Sequence, residues 1–210
     1  MWLVIGSGSK IWQMLKKDWS FLDTIEVSGK SFSKQSTKIE PHYILYVANP
    51  PLEIFKQHIC KILKNYPNAH LVFFSSIVVN IADEGKRYSY VRDKVAKENC
   101  VRKMCQFSQS KSFVLRPGPV VESSKVTHGY PFYTTLDDLH YRIRLIAAGE
   151  VIDHTEIYTL AINANEIVGY CNFVKFLPFP VMRVMDRVFR LLGNKNYGYT
   201  YLLNRKLRGI

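Results

Sequence analysis

Acidic residues are scarce in this chain: 17 Asp and Glu stand against 29 Lys and Arg in 210 residues, a formal charge of +12. The surplus is concentrated in a basic tail from Lys175 onward, which could meet phosphate, nucleic acid or anionic lipid. Zinc-finger spacings and an aromatic RNA-binding signature are both missing, so nucleic acid is the weakest of the three. No stretch approaches 18 uncharged apolar residues, which excludes an expected transmembrane helix. No basic region precedes the apolar run at Trp2–Ile5, so the N-terminus does not read as a signal peptide. Cysteine is sparse, and Cys60, Cys100, Cys105 and Cys171 form no C-x-x-C pair. They read as reduced core thiols of a cytoplasmic protein, with neither a metal site nor a disulfide framework. No internal repeat or low-complexity tract is present.

What is there is an ordinary globular composition, 47% hydrophobic and 22% charged, with 13 Tyr and 12 Phe available for aromatic packing. The length suits one sizeable domain, with or without a small appendage. Apolar strands are expected at residues 2–5, 22–27, 43–48, 71–74 and 113–115. Helical periodicity is expected from residue 10 through Leu15, over 52–65, with Ile54, Phe55, Ile59, Ile62 and Leu63 on one side, and over 88–107. The polar stretch 28–40 reads as a loop. Strands alternating with helices, most of them apolar throughout, imply a parallel sheet covered on both faces. Ligands of such sheets sit beyond the carboxyl ends of the strands, here Gly6, Asn49, Ser76 and Pro117.

Within the helix expected over 88–107, Tyr90 and Lys94 lie four residues apart and so share one face. A free phenol has a pKa near 10, too high for efficient proton transfer at neutral pH, and an adjacent ammonium favours the phenolate. By itself Tyr-x-x-x-Lys is a weak signal, since both residues are common on helices.

The order of segments around that pair resembles the extended short-chain dehydrogenase/reductases, in the NAD-dependent epimerase/dehydratase group, over roughly residues 2–175. Val4-Ile5-Gly6-Ser7-Gly8-Ser9-Lys10-Ile11-Trp12 resembles the glycine-rich turn after the first strand. Phe73-Phe74-Ser75-Ser76 resembles the strand end that presents the catalytic Ser or Thr, and Tyr90 to Glu98 the Tyr-x-x-x-Lys-x-x-x-Glu helix. Val114 to Val120, with Arg116-Pro117-Gly118-Pro119 inside it, resembles the segment that closes over the nicotinamide.

The resemblance implies a Rossmann-type doubly wound parallel sheet with a small C-terminal substrate-side subdomain. The expected division is a cofactor-binding core at 1–125, substrate-side segments at 126–174 and a basic amphipathic tail at 175–210. It makes Tyr90 the acid/base toward a sugar hydroxyl or carbonyl. Lys94 would lower the tyrosine pKa and bind the nicotinamide ribose, and Ser76 would hold the substrate oxygen. Gly6, Ser7, Gly8, Ser9, Lys10, Ile11, Glu26, Asn49, Pro117 and Val120 join Tyr90 and Lys94 as cofactor-binding candidates. The cofactor is NAD or NADP: Glu26 suits the ribose hydroxyls of NAD, whereas Ser28 and Lys30 suit the extra phosphate of NADP. The implied activity is an NAD(P)-dependent oxidoreductase or epimerase of a nucleotide-linked sugar in surface polysaccharide synthesis, with a homodimer common in the family.

The chain departs from the pattern in its first turn. The three glycine positions correspond to Gly6, Ser9 and Trp12, and only the first is glycine. The second normally admits the pyrophosphate and the third allows close helix–strand packing. A non-catalytic relative with a regulatory or scaffolding role is therefore the alternative. The gap of fourteen residues from Ser76 to Tyr90 is also shorter than usual.

Elsewhere, Asp137-Asp138 reads as a helix cap and first-turn charge, not a metal site. His128, His140 and His154 have no metal-ligand spacing. Segments 128–133 and 151–163 are candidate substrate walls. From Lys175 onward eight Lys or Arg accompany one Asp, giving +7 of the total charge. Val181, Val184, Met185, Val188 and Leu192 share one face of a predicted helix, and Arg183, Arg187 and Arg190 another. That helix is expected to pack on its own domain or a second subunit; the alternative is an anionic membrane, with Arg205, Lys206 and Arg208 adding attraction.

Overall fold

The computed structural model describes residues 1–19, 23–32, 39–86, 88–122, 132–149, 155–159, 162–163, 179–191, 202–203 and 206. Its centre is a six-stranded sheet formed by β1 (Trp2–Ile5), β2 (Thr24–Val27), β3 (Tyr43–Tyr46), β4 (His70–Phe74), β5 (Ser112–Arg116) and a last strand at Thr155–Thr159. The spatial order is β2-β1-β3-β4-β5 followed by that last strand, and every pairing is parallel. β1, β3 and β4 are apolar at nearly every position because both of their faces are covered.

Alternate residues feed two separate cores. Leu3, Ile5, Ile44, Tyr46, Leu71 and Phe73 pack with Phe55, Ile59 and Ile62 of α3 (Leu52–Asn65) and with Val101 and Cys105 of α4 (Ser89–Phe107). Trp2, Val4, Leu45, Val72, Phe74 and Leu115 pack with Trp12 and Leu15 of α1 (Lys10–Leu15) and with Leu139, Ile143 and Ile146 of a later helix, Leu136–Ala147. The period-two alternation of each strand thus becomes a three-layer structure.

The strand order is the doubly wound order 3-2-1-4-5-6 without its third strand and with one more parallel strand added after the sixth, so β2 forms an edge. The stretch that stands in place of that unit is 28–40, expected as a loop. Its described beginning is instead one helical turn, α2 (Gly29–Phe32), started by Ser28 Oγ accepting the Ser31 N–H and holding Phe32 buried. Chain direction across the sheet reverses between β1 and β3, which opens a crevice at their carboxyl ends.

Beyond β5 the chain adds β6 (Val120–Val121), β7 (Phe132–Thr135), α5 (Leu136–Ala147), β8 (Thr155–Thr159) and β9 (Ile162–Asn163); β6, β7 and β9 form a small second sheet. Thr135 and Asp138 build a capping box on α5, so the Asp137-Asp138 pair is a helix start as expected. Thr155–Thr159, expected within a substrate wall, is instead the sixth strand of the main sheet, since its register continues β5 from Ser112↔Thr155 to Arg116↔Thr159. The wall residues 128–131, 151–154 and 160–161 lie outside the described residues, as do His128, His154, Cys171, Leu192, Arg205 and Arg208.

Two further expectations are corrected. Ile54 does not share the buried face of α3; it is exposed, and His58 takes the inward position, bonded through Nδ1 to the Tyr46 hydroxyl at 2.8 Å. Cys60 is no core thiol but lies exposed on α3, while Cys105 is buried. The last helix, α6 (Phe179–Leu191), exposes Val181, Val184, Val188 and Leu191, while Met185 is half-buried. Among the described residues no helix is long and apolar enough to cross a membrane.

Candidate functional site

The carboxyl end of the sheet brings the sequence-predicted residues together. β4 ends at Phe74, and Ser75 is tied to β5 by its N–H donating to the Leu115 carbonyl at 2.8 Å. Ser76 then caps a 3₁₀ turn over Ile77–Ile81, its Oγ accepting the Val78 N–H at 3.4 Å. That tight turn explains how fourteen residues suffice: the chain doubles back through Gly85, whose N–H donates to the Ile81 carbonyl at 2.7 Å, and enters α4 at Ser89. Tyr90 thereby returns to Ser76, and their side chains share a hydrogen bond.

Along α4, Tyr90, Lys94, Lys97, Glu98, Val101 and Cys105 recur at helical spacing on the side facing the sheet. Tyr90 is at the rim, 39% exposed as a whole residue, whereas Lys94 and Lys97 are 6% and 2% exposed. The Lys94 ammonium lies 5.7 Å from the centre of the Tyr90 ring. It donates to Asn49 Oδ1 at 3.2 Å, and Lys97 Nζ donates to the same oxygen at 3.0 Å and to Asp93 Oδ2 at 2.7 Å. Asn49, just past β3, therefore reaches across the crevice to the active-face lysines.

The electrostatics differ from what the resemblance implies. Burial raises the Tyr90 pKa above its usual 10, outweighing the Ser76 hydrogen bond, and Asp93 adds to the rise. The net shift is upward although the Lys94 ammonium stands beside the ring. The Lys94 pKa itself falls to about 8, through burial first and the neighbouring Lys97 charge second, with Asp93 and Glu98 opposing. In this arrangement the phenol is held protonated and the ammonium is close to losing its proton.

Two residues that sequence reasoning missed lie beneath this group. Arg116, at the end of β5, makes a two-pronged ion pair to the fully buried Glu98, with Nε and Nη2 donating at 2.9 and 2.6 Å. Its Nη1 donates to Asn80 Oδ1 at 2.9 Å. The pair locks α4 to the sheet and fixes the 3₁₀ turn that carries Ser76. Lys97 is the other: its helical spacing from Tyr90 and Lys94 was legible, but nothing in the sequence marks it as buried.

The first turn keeps one feature that a dinucleotide fold requires. Gly6 has φ +108°, and a Cβ there would meet the Ala48 backbone nitrogen at 2.5 Å, so only glycine lets β1 and the end of β3 approach so closely. Ser9, at the second glycine position, caps α1 by accepting the Trp12 N–H at 3.1 Å. Gly8 is exposed with open space where a Cβ would stand, and Ser7 and Lys10 flank it at the surface. Trp12 does not fill the turn. Its ring is turned into the core, edge-on to Trp19 at 5.0 Å, and its indole nitrogen is buried with no partner among the described residues.

The remaining candidates are more dispersed. Ile11 is half-buried on α1. Glu26 is exposed on β2, 3.9 Å from Lys16 Nζ, a contact of little energetic weight in water. Ser28 caps α2, and Lys30 is exposed on it. Pro117 is buried just past β5 and its carbonyl accepts the Ile77 N–H at 2.9 Å, while Val120 begins β6.

With this geometry in hand, likeness to solved structures becomes informative. The chain resembles dTDP-4-dehydrorhamnose reductase from Bacillus anthracis, crystallised with NADP, at 13% identity and TM-score 0.54, over 75% of this chain and 73% of that one. It resembles UDP-glucose 4-epimerase from Thermus thermophilus, crystallised with NAD, at 13% identity and TM-score 0.52, over 80% and 81%. The capsular polysaccharide assembling protein CapF from Staphylococcus aureus matches at 16% identity and TM-score 0.55, over 97% of this chain but 65% of that one. No protein-family profile and no curated sequence matches. At these identities the likeness shows the fold alone, a Rossmann-type parallel α/β sheet.

Proposed function

We propose that this protein is an NAD(P)-dependent oxidoreductase or epimerase of a nucleotide-linked sugar, serving surface polysaccharide synthesis, with Tyr90 as its acid/base. The observation that carries the reading is the meeting of Ser76, Tyr90 and Lys94 beyond the carboxyl ends of a parallel sheet. Support for the substrate class comes from the neighbours, which include a dTDP-sugar reductase and a UDP-sugar epimerase.

The residues fit the cofactor in part. Gly6 gives the close turn, the first amides of α1 at Lys10 and Ile11 face the same end of the sheet, and Asn49 and Lys94 offer polar atoms where a ribose would lie. NAD(P), when bound, supplies the hydride donor or acceptor. The chain's own contribution is proton handling. A phenol whose pKa is raised by burial stays protonated at neutral pH and suits the donation of a proton to a carbonyl oxygen. Ser76, bonded to that phenol, orients the same oxygen.

A second reading rests on Ser9 and Trp12. Both side chains have structural duties here, a cap and a core contact, in place of two glycines. On that reading the protein is a non-catalytic relative that regulates or scaffolds a partner.

Calorimetric titration with NAD+, NADH, NADP+ and NADPH separates the two. Binding of any one at micromolar affinity, with Tyr90→Phe binding equally well but losing about 10²-fold or more of turnover on a nucleotide sugar, supports the enzyme. No binding of all four by folded protein supports the scaffold.

A further inference from the structure

The apolar stripe of α6 is displayed to solvent. Val184 is 62% exposed and Leu191 88%, and Val181 and Val188 are each nearly half exposed. Their spacing of three, seven and ten residues from Val181 places all four on one stripe of the helix. By the same periodicity Arg183, Arg187 and Arg190 fall on the flank that adjoins the stripe beside Leu191, and Arg187 is exposed.

Charge decides what can cover that stripe. The stretch from Lys175 onward carries +7. A second copy would bring the same charge to the contact and be repelled. A nucleic acid would satisfy the arginines and leave valines and leucine in water. A bilayer surface rich in anionic headgroups satisfies both: the apolar stripe enters the acyl boundary while the arginines remain at headgroup level.

We propose that α6 docks the protein on an anionic membrane surface, lying in the plane of the interface. The chain beyond it returns to the body, where Leu202 and Leu203 are buried and Lys206 Nζ stands 3.5 Å from Glu84 Oε1. Glu84 lies in the turn that leads from the Ser76 cap to Tyr90. This inference is independent of any catalytic activity.

The test is co-sedimentation of the full chain with vesicles of phosphatidylcholine alone and of phosphatidylcholine mixed with phosphatidylglycerol. Partition into the anionic vesicles is expected to exceed that into neutral ones by about tenfold and to fall as salt is raised. Val184→Glu with Val188→Glu, at exposed positions that leave the core untouched, is expected to abolish it. Arg183→Gln with Arg187→Gln and Arg190→Gln is expected to reduce it several-fold. Equal sedimentation with neutral vesicles, or full retention by the glutamate variant, overturns the proposal. So does light scattering that shows a dimer dispersed by the glutamate substitutions, which would assign the stripe to a second copy. Displacement from vesicles is expected to fail with single-stranded RNA; success would assign the surface to nucleic acid.

Discussion

Lys94 and Lys97 direct their ammonium groups at one acceptor, Asn49 Oδ1, at 3.2 and 3.0 Å, with Asp93 as the carboxylate partner of Lys97. Two buried cations converging on a single amide oxygen is an unfavourable arrangement that folding by itself would not select. Burial first and this like charge second bring the Lys94 pKa down to about 8 beside Tyr90.

Lys97→Met removes the like charge and leaves Asn49 and Asp93 to Lys94 alone. The Lys94 pKa is expected to rise by about one unit or more toward its ordinary value. Lys97→Arg keeps the charge and is expected to hold it near the wild-type value. Titration of ¹³C-methylated lysines by NMR, with Lys94→Arg to assign the signal, checks this without any substrate. An unchanged Lys94 signal in Lys97→Met would show that the second lysine acts only through packing.

Lys94→Met is expected to stabilise the fold at neutral pH. Because the Lys94 pKa is depressed from 10.5 to about 8, the unfolded chain holds that proton more tightly than the folded one. Below pH 8 the cost of burying the charge is fully present. It diminishes as pH rises from about 8 to 10.5, so wild-type stability attributable to this group increases across that window. The gain of the variant is on the order of 3 kcal/mol at pH 7 and shrinks toward pH 10. Melting temperatures of both proteins at pH 7 and 9.5 measure it, and a Lys94→Met that is less stable at pH 7 refutes the assignment.

Arg116→Met is expected to cost about 3–5 kcal/mol, since it strands the Glu98 carboxylate in the core without its ion partner. Adding Glu98→Gln to it should recover part of the loss. Urea unfolding of the two variants and the wild type gives the comparison; equal stability of the single and double variants would show that Glu98 is not the group at stake.

Trp12→Ala is expected to destabilise by about 3 kcal/mol or more, from the cavity it leaves against Trp19 and Leu15. Trp12→Phe removes the unpartnered indole N–H while keeping most of the volume, and should cost much less. Trp12→Gly, which places there the third glycine of a G-x-x-G-x-x-G turn, is expected to be the worst of the three, because it adds the helix penalty of glycine to the cavity. Thermal unfolding ranks them; a neutral Trp12→Gly would mean that the ring is dispensable to the core.

Dinucleotide affinity of the Trp12→Phe variant is expected to equal that of the wild type, because the ring faces the core and not the Gly6 turn. A several-fold change on calorimetry would place Trp12 in contact with the bound nucleotide.

Much of this architecture was written in the order of residues. Continuous apolar runs at Trp2–Ile5, Tyr43–Tyr46 and Leu71–Phe74 can only be strands covered on both faces, and the four-residue spacing of Tyr90 and Lys94 fixes them on one side of a helix. Gly6 was legible as the turn because its place after the first strand demands close approach. The sequence alone therefore determined the parallel α/β sheet, its ligand end and the residues gathered there. Tertiary structure decided the rest. Whether Trp12 blocks a turn or fills a core depends on which way α1 rotates against the sheet, a matter of packing against Trp19 and α5 that no local pattern encodes. The burial of Lys97, the pairing of Arg116 with Glu98 and the raised pKa of Tyr90 all arise from desolvation by elements distant in sequence. Local periodicity gives the face on which a charge lies; only the neighbours brought by the fold set the cost of keeping it there.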